Sequence, residues 1–459
     1  MVVRSLMEEH LAVALQSLEC LYMEVGNSDL CLLRDQAERD ILSEIRSHPY
    51  DLKAPHRIKQ RQPDSPSVRG FYKQPGKWFP LKYVIFLIML QLRRWQNRHG
   101  NKAGKKKAGY GMETRLSLAD MEVAQPLSPD AKAFDAVFFM AANKDGYYFA
   151  AGTERRQHGV INGLCYVAVP GKGLLCSHKL PDTVLFGAKN EEFGAEGLLL
   201  KLVRPMKKWK LNYKGKMWLQ SDPSQMFDVN FEGAWSSDLP PFNYDTDMYP
   251  PSAARAFARE TWTREYFKAL KKAHQSHYEQ MGHLNATIEI NGEKHTVKMP
   301  SFRDHSYGER RDWNLMHRYA FHMIFLDDGT KATTGVICQP CTSSRLEVGY
   351  VYTPSGEVYA LEWCDFELYE HGEDGRPPTD YSFSFKAGPT IYTVQVNVEY
   401  AAVHYVGWKW EARMVERFVQ YTVNGIPGRG VSEFHYYNKG GRPSSVAVND
   451  PYWFKKLTL

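Results

Sequence analysis

The stretch of sequence on which the interpretation of this chain depends is Arg303-Asp304-His305-Ser306-Tyr307-Gly308-Glu309-Arg310-Arg311-Asp312-Trp313. It holds three arginines, two aspartates, a glutamate and a histidine, and it lies between two strand-like segments, residues 286–299 and 319–326. A run of charges this dense is typical of a solvated loop, but the tyrosine and tryptophan within it indicate partial burial. Because an unpaired buried charge is very costly, each charge would need a partner. The run therefore predicts an ionic plug at the mouth of a β-domain, a ligand pocket, or both.

Composition predicts a globular chain with a substantial apolar core. The chain has 459 residues, of which 43% are hydrophobic and 24% are charged, and a chain of this length corresponds to about three domains. Aromatic residues make up 13% of the chain, a content that favours strands and that could line an apolar cavity. The net charge of +6 is mild, so we expect no nucleic acid partner.

Seven cysteines, at positions 20, 31, 165, 176, 338, 341 and 364, are odd in number and irregularly spaced. This arrangement predicts reduced thiols and no disulfide scaffold, which favours a cytoplasmic protein. Cys338 and Cys341 form a single C-x-x-C motif, and no second pair of His or Cys at metal spacing follows it. We therefore interpret them as thiols at a strand end and expect neither a metal site nor a cofactor.

The N-terminal region, residues 1–109, is predicted to be helical over residues 1–50 and a linker over 51–77. A short hydrophobic helix, Trp78–Leu92, follows. At about 1.5 Å per residue it would reach roughly 22 Å, whereas a hydrocarbon core is ~30 Å thick. A buried helix, an interfacial helix and a short span remain open. The basic residues that follow suit anionic lipid head groups, so Trp78–Lys107 is the predicted contact with an anionic membrane surface.

From Tyr110 onward, short alternating runs separated by turn residues predict β structure. We divide this part into a first β domain, 110–240, a Pro-rich boundary with a linking helix, 241–283, and a second β domain, 284–459. The linking helix is predicted over 252–281, with Gly282 as its end. Asn291-Gly292 and Asn424-Gly425 are strong hairpin turns. The order of strands, helix and strands predicts a mainly β fold of two antiparallel domains behind an α-helical N-terminal region.

The central run also resembles a known signature. The pattern Arg303-x-His305-Ser306-Tyr307-Gly308, followed by Asp312-Trp313, is similar to the R-x-H-S-W-G-x-R-D-W motif of the AttH / carotenoid 1,2-hydratase superfamily. It differs in having Tyr307 where that family has Trp, and one extra residue before Arg311. The resemblance covers residues 111 to the C-terminus and implies two tandem lipocalin-like β-barrels. Similar regions precede phosphoenolpyruvate-synthase-like modules in some animal proteins, which implies an accessory domain as a further alternative.

The resemblance and the aromatic content predict binding of a lipophilic small molecule, such as an isoprenoid, sterol or lipid, between or inside the barrels. A cofactor-free hydratase or isomerase acting on such a ligand is the alternative. It would need a general acid to protonate an alkene and aromatic faces to stabilise the cation that results. The candidate acids are Asp304, His305 and Asp312.

The candidate ligand-binding residues are aromatic or charged and belong to the central run or to the C-terminal β region: Arg303, Tyr307, Arg311, Trp313, Trp408, Trp410 and Glu433. A strand predicted from Trp408 to Val423 would place its two tryptophans on one face, where they either pack in a core or form a ligand wall. Glu433 is predicted to pair with an arginine of the central run.

Overall fold

The computed structural model describes residues 66–99, 109–114 and 116–443. The fold is mainly β, as predicted, with two large antiparallel sheets and an N-terminal helix. The helical prediction for residues 1–50 and the basic residues 102–107 lie outside the described residues.

The strands of the first half are β1 Ser67–Val68, β2 Tyr72–Lys73, β3 Phe134–Ala142, β4 Tyr148–Arg156, β5 Val160–Val169, β6 Gly173–Ser177, β7 Val184–Phe186, β8 Phe193–Ala195, β9 Leu198–Arg204, β10 Lys208–Leu219, β11 Asp222–Ser236, β12 Phe242–Asn243, β13 Ser276–Ile290 and β14 Glu293–Gly308. Those of the second half are β15 Arg318–Leu326, β16 Lys331–Gln339, β17 Ser343–Tyr352, β18 Val358–Cys364, β19 Asp380–Ala387, β20 Thr390–Val406, β21 Ala412–Val423 and β22 Ile426–Tyr437. The helices are α1 Phe79–His99, α2 Leu118–Glu122, α3 Pro250–Ala258 and α4 Arg264–Lys272.

The single helix predicted over 252–281 is wrong. The segment forms two short helices, α3 and α4, and then enters strand β13 at Ser276. The Thr263 side chain accepts a hydrogen bond from the backbone of Tyr266 and so begins α4 as a separate helix. Gly282 does not end a helix; it lies within β13, against the ring of Trp235. A Cβ atom at position 282 would stand 2.7 Å from that ring, so the close approach requires glycine.

The first large sheet closes on itself through eight strands. In order around the ring, these are β3, β4, β5, β6, β10, β11, β13 and β14, and β14 pairs with β3. Large apolar side chains such as Trp209, Trp235 and Phe139 fill its interior. Residues 276–308, predicted partly as linking helix and partly as second domain, therefore complete the first barrel. The pairing of β14 with β3 joins residues far apart in the chain, which local patterns do not reveal.

The second sheet is a closed barrel in which β15 to β22 follow one another in sequence order, the up-and-down arrangement found in lipocalins. Its interior is also packed with apolar side chains, including Phe383, Phe385 and Phe434. The β1–β2 hairpin adds Tyr72 to this core, where the Tyr72 hydroxyl donates to Glu373 at 2.6 Å. The N-terminal segment thus helps to close one end of the second barrel.

An apolar layer joins the outer faces of the two barrels. It includes Tyr148, Tyr166 and Phe302 from the first barrel and Tyr350 and Phe418 from the second. Because these side chains are buried only when both barrels are present, the layer holds the barrels against each other.

Helix α1 packs one side against α3, where the rings of Phe86 and Phe257 lie 4.7 Å apart. The other side leaves Leu81 and Ile85 exposed at 37% and 47% of their surface, and Trp78, directly before the helix, is exposed at 43%. Within the described residues, no helix is both long and apolar enough to cross a membrane. The buried-helix interpretation therefore holds for one face of α1.

The effect of Gly282→Ala on the free energy of unfolding has opposite signs in a strand and in a helix, so this substitution tests the strand assignment. In an exposed helix, Gly→Ala stabilises by about 0.5–1 kcal/mol. Here Gly282→Ala should lower the free energy of unfolding by about 1–3 kcal/mol, because the methyl group overpacks against Trp235. Urea unfolding of the full-length protein measures the change. Gly109→Ala, where the new Cβ meets no atom within 4 Å, is the control; equal effects at both positions would contradict the packing.

The exposed apolar residues Trp78, Leu81 and Ile85 support the predicted contact with a membrane, which we retain as a proposal. We expect the full-length protein to float with vesicles that contain anionic lipid, and we expect salt to weaken the binding. Replacing Trp78 and Ile85 together by Ser should reduce flotation, because both side chains are exposed and apolar. The matched control replaces Val358 and Ile391 by Ser, since these are exposed apolar residues of the second barrel. Equal flotation of both double variants would rule out Trp78 and Ile85 as the contact.

Candidate functional site

Strand β14 separates the central run into two sets of side chains. Successive residues of a strand point to opposite faces, so Arg303 and His305 enter the first barrel while Asp304 and Ser306 face the second barrel. The two sets have different surroundings.

Inside the first barrel, Arg303 is fully buried and acts as an ionic plug. Its Nη2 donates to Glu122 at 2.8 Å and to Gln280 at 2.7 Å. The guanidinium also lies 5.0 Å from the ring of Trp235. Glu122 in turn accepts a hydrogen bond from the indole of Trp209 at 2.6 Å. Both charges are therefore compensated within the core, as burial requires.

His305 belongs to the same interior. Its Nε2 lies 2.6 Å from Asp135, and its Nδ1 lies 2.9 Å from the Tyr278 hydroxyl. Asp135 also pairs with Arg155 at 2.5 Å. His305 does not line the space between the barrels. The structure thus places this candidate acid in the barrel core. Tyr307 packs at the edge of that core, beside Tyr278.

A cavity of about 570 Å³ lies between the two barrels. The first barrel contributes Phe138, Leu164 and Phe302, and the second contributes Phe321, Met323 and Val348. Lys272 of α4 and Leu315 also line the cavity and are exposed to solvent, so the cavity opens at that end. Its volume and apolar walls are those of a small-molecule site.

Asp304 faces this cavity beside a second set of polar side chains. In the pairing of β13 with β14, Glu279 stands opposite Asp304, and His277 stands opposite Ser306. His277 Nε2 lies 3.0 Å from Glu279, and its Nδ1 lies 2.5 Å from the Ser306 hydroxyl. Burial alone would lower the pKa of His277, but the Glu279 carboxylate raises it above its usual value. The pair therefore favours an imidazolium beside a carboxylate.

The Asp304 carboxyl makes no hydrogen bond to any residue within the described ranges. Burial raises its pKa to about 7; the positive charges of His277 and Arg311 oppose this rise, and the negative charges of Glu279 and Glu433 add to it. Near neutral pH the group is populated in both protonation states. A carboxyl with these properties suits proton transfer.

The second barrel contributes an acidic cluster to the same cavity. The Tyr319 hydroxyl donates to Glu433, and Glu416 stands directly opposite Glu433 in the pairing of β21 with β22. Burial raises the pKa of both carboxyl groups, and that of Glu416 is raised well above its usual range by burial and by the charge of Glu433. Glu433 was predicted to pair with an arginine. Its partners are instead Tyr319 and Glu416, and Arg311 influences it only through its charge.

The last residues of the central run, 310–313, lie at the rim of the cavity. Asp312 binds Lys132 at 2.5 Å and Arg310 at 2.8 Å. These hydrogen bonds hold the pKa of Asp312 well below its usual range despite partial burial, so the group stays ionised and is poorly suited to act as an acid. Arg311 pairs with Glu154 at 3.2 Å. Trp313 lines the cavity and stacks on His435.

Trp408 and Trp410 lie apart from this site. The strand predicted to begin at Trp408 begins at Ala412, because a turn occupies residues 407–410 and Trp410 has the left-handed φ of 56°. Trp410 stacks on Tyr405 at 4.2 Å and donates to Asp182 at 3.2 Å. Neither tryptophan lines the cavity.

Four residues that could take part in the chemistry of the site were missed in the sequence: the cavity residues His277, Glu279 and Tyr319, and Glu416, which adjoins the cavity residue Glu433. For three of them a signal was available, since the turn at Asn424-Gly425 sets the register that pairs Glu416 with Glu433. The two-residue turn at Asn291-Gly292 fixes the register of β13 against β14, and continuing that register pairs Glu279 with Asp304. The assignment of residues 252–281 to a helix concealed this pairing. Among the described residues, no group of three or more His, Cys, Asp or Glu is placed to hold a metal ion.

Several solved structures are distantly similar to this chain. A protein assigned as AttH from Nitrosomonas europaea has a TM-score of 0.45 and 11% identity, with 67% of this chain and 93% of that one covered. Kievitone hydratase from Nectria haematococca has a TM-score of 0.42 and 10% identity, with 72% and 96% covered. CghA with Sch210972 has a TM-score of 0.42 and 9% identity, with 70% and 96% covered. Similarity this distant carries no information about activity.

No curated protein matches the chain in sequence. The profile of a family of unknown function, DUF8627, matches residues 56–436, and the chain therefore belongs to that family.

Proposed function

We propose that this protein binds a lipophilic small molecule, such as an isoprenoid, a sterol or another lipid, in the cavity between its two barrels. The observation that carries the proposal is the cavity itself: about 570 Å³, with apolar walls from both barrels and a few polar groups facing inward. Affinity in such a site comes mainly from apolar surface removed from water.

The barrel interiors are less suitable for a ligand. Trp209 and Trp235 pack within the first, and Phe383 and Phe434 within the second, as parts of continuous apolar cores. A ligand in either interior would have to displace these side chains. The space between the barrels requires no such displacement.

A second candidate function is cofactor-free acid–base catalysis on the bound molecule, of the hydratase or isomerase type. Asp304 favours it, because an acid with a pKa of about 7 faces the cavity without a hydrogen-bond partner among the described residues. Such a group can give its proton to one carbon of a bound alkene; the carboxylate then takes a proton from another carbon of the cation, which gives the isomer, or from the water that adds to the cation, which gives the alcohol.

Extraction tests the binding function directly. Organic extracts of the purified full-length protein should contain an apolar compound, identified by mass spectrometry. Ala136→Phe should reduce its amount, because Ala136 lines the cavity and the larger ring occupies it. Ile391→Phe, at an exposed site on the second barrel, is the control and should leave the amount unchanged.

Two outcomes of the extraction separate the candidate functions. A compound that stays chemically unchanged after long incubation with the protein supports binding and argues against catalysis. If the wild-type protein yields no compound, and added isoprenoids or sterols do not bind, the binding function fails.

The protonation state of Asp304 can be tested through stability. Its pKa is higher in the folded protein than in the unfolded chain, so its contribution is most favourable below pH ~4 and is lost as pH rises through about 7. Asp304→Asn should therefore unfold less readily than wild type above pH 7. We expect a gain on the order of 1–3 kcal/mol, since each unit of pKa corresponds to ~1.4 kcal/mol and cavity water reduces the full value. The gain should disappear near pH 4.

Asp312→Asn is the matched control with the opposite sign. The pKa of Asp312 is lowered in the folded protein, so its stabilising effect is present above pH ~4 and is lost as pH falls. This variant should be less stable than wild type at pH 7 and should approach it in acid. Urea unfolding of both variants across this range measures the two curves. Parallel curves would show that the two carboxyl groups do not differ as described.

A further inference from the structure

We propose that Glu416, Glu433 and Tyr319 form a hydroxyl-recognition centre on the second-barrel side of the cavity, so that the bound lipophilic molecule is an alcohol. This inference rests on the proposed binding function and names the class of ligand. Three features of the cluster support it: the two adjoining carboxyl groups, the direction of the Tyr319 hydrogen bond and the fixed position of the Tyr319 ring.

The first feature is the buried carboxyl pair. Glu416 is completely buried, and neither of its oxygens has a partner among the donor groups of the described residues. It stands opposite Glu433, close enough for the two carboxyl groups to share a hydrogen bond. Two adjoining carboxylates cannot both stay ionised in a buried site, so the pair retains one proton. Glu433 accepts the hydrogen bond of the Tyr319 hydroxyl, whereas Glu416 is completely buried with no donor beside it in the described part of the chain, so the proton belongs to Glu416 and the negative charge to Glu433.

The second feature is the orientation that this charge gives to Tyr319. Tyrosine has one hydroxyl proton. It lies within reach of two acceptors, Glu433 and the sulfur of Met414 at 3.5 Å. The carboxylate is much the stronger acceptor, so the proton points to Glu433. What Tyr319 presents to the cavity is then an oxygen lone pair, made more basic by the neighbouring negative charge.

The third feature is the rigidity of the tyrosine ring. It stacks on His435 at 5.0 Å and an angle of 11°, and His435 stacks in turn on Trp313 at 5.4 Å. His435 is buried, and burial lowers its pKa to about 3, so it stays neutral and adds no charge to the stack. The Tyr319 oxygen is therefore held at the cavity wall in one orientation. A hydroxyl donor on a ligand gains a hydrogen bond there, whereas a carbonyl group or a hydrocarbon gains none.

The experiment compares three isoprenoids of one carbon skeleton: farnesol, farnesal and farnesene. Calorimetric titration into the full-length protein should show about ten-fold tighter binding of farnesol than of farnesene, because a hydrogen bond to a charge-assisted acceptor contributes on the order of 1.5 kcal/mol. Farnesal should bind no more tightly than farnesene, because the Tyr319 oxygen is an acceptor and donates no hydrogen bond to the aldehyde. Measuring at pH 9 keeps Asp304 largely ionised, so that it donates no hydrogen bond to the aldehyde.

Three variants assign the effect. Tyr319→Phe should abolish the preference for farnesol, so that farnesol and farnesene bind this variant equally. Glu433→Gln removes the negative charge and should reduce the preference at least three-fold. Glu416→Gln replaces a protonated carboxyl by a neutral side chain of similar shape, so it should preserve the preference. Urea unfolding of each variant confirms that it is folded.

The outcomes separate this inference from the proposed function. If none of the three compounds binds, the proposed binding of an isoprenoid in the cavity fails, and the recognition centre fails with it. If all three bind equally, or if Tyr319→Phe keeps the preference for farnesol, the binding function stands and the recognition centre is overturned. Preference for farnesal would also overturn it, because a donor would then face the ligand. If Glu416→Gln loses the preference for farnesol, the negative charge lies on Glu416, and its assignment to Glu433 is wrong.

Discussion

The alternation of side chains along β14 is the constraint on which the rest of the structure depends. One face of this strand supplies Arg303 to the interior of the first barrel, where Glu122 compensates its charge. The other face supplies Asp304 to the cavity between the barrels. Because both residues are on one strand, the buried ion pair that fixes β14 in the barrel also fixes the position of Asp304 in the cavity wall and the orientation of its side chain. A shift of one residue in register would exchange the two faces and bury Asp304 in the core.

The charged groups inside the barrel and those at the cavity differ in whether they are paired. Inside the barrel, the charges of Arg303 and Glu122 are paired and hydrogen-bonded, so that burial is tolerated. Asp304 lines the cavity and is partly buried, and Glu416 is buried beside the cavity residue Glu433; neither has an equivalent partner among the described residues, and the pKa of each is raised. Carboxyl groups in this state do not help the fold, since apolar residues of the same size would be less costly. Asp304 and Glu433 belong to different barrels and line the same cavity, which is what a ligand site requires and a packed interface does not.

Much of the fold follows from patterns that the sequence displays locally. Two-residue turns such as Asn291-Gly292 and Asn424-Gly425 identify hairpins, and period-two alternation identifies strands, so a mainly β chain of two units could be predicted. The boundary between the units could not, because it depends on the pairing of β14 with β3, more than a hundred residues earlier in the chain. The same pairing decides which side of the central run faces the cavity. Without it, Asp304 and His305 are equivalent candidates, although one lines the cavity and the other is enclosed in the barrel.

The acidic cluster of the second barrel illustrates a different limit. Glu416 and Glu433 are seventeen positions apart, in strands that also hold charged residues such as Arg417 and Arg429, so nothing in the local sequence shows that they adjoin. Their pairing follows once the turn at Asn424-Gly425 sets the register of β21 against β22. Whether they point into the second barrel or towards the first barrel depends on the apolar layer between the barrels, in which Tyr148 and Phe418 pack against each other at 5.5 Å. The site is therefore a property of the assembled pair of barrels: neither barrel alone would enclose the cavity or bury the groups that give it its electrostatic character.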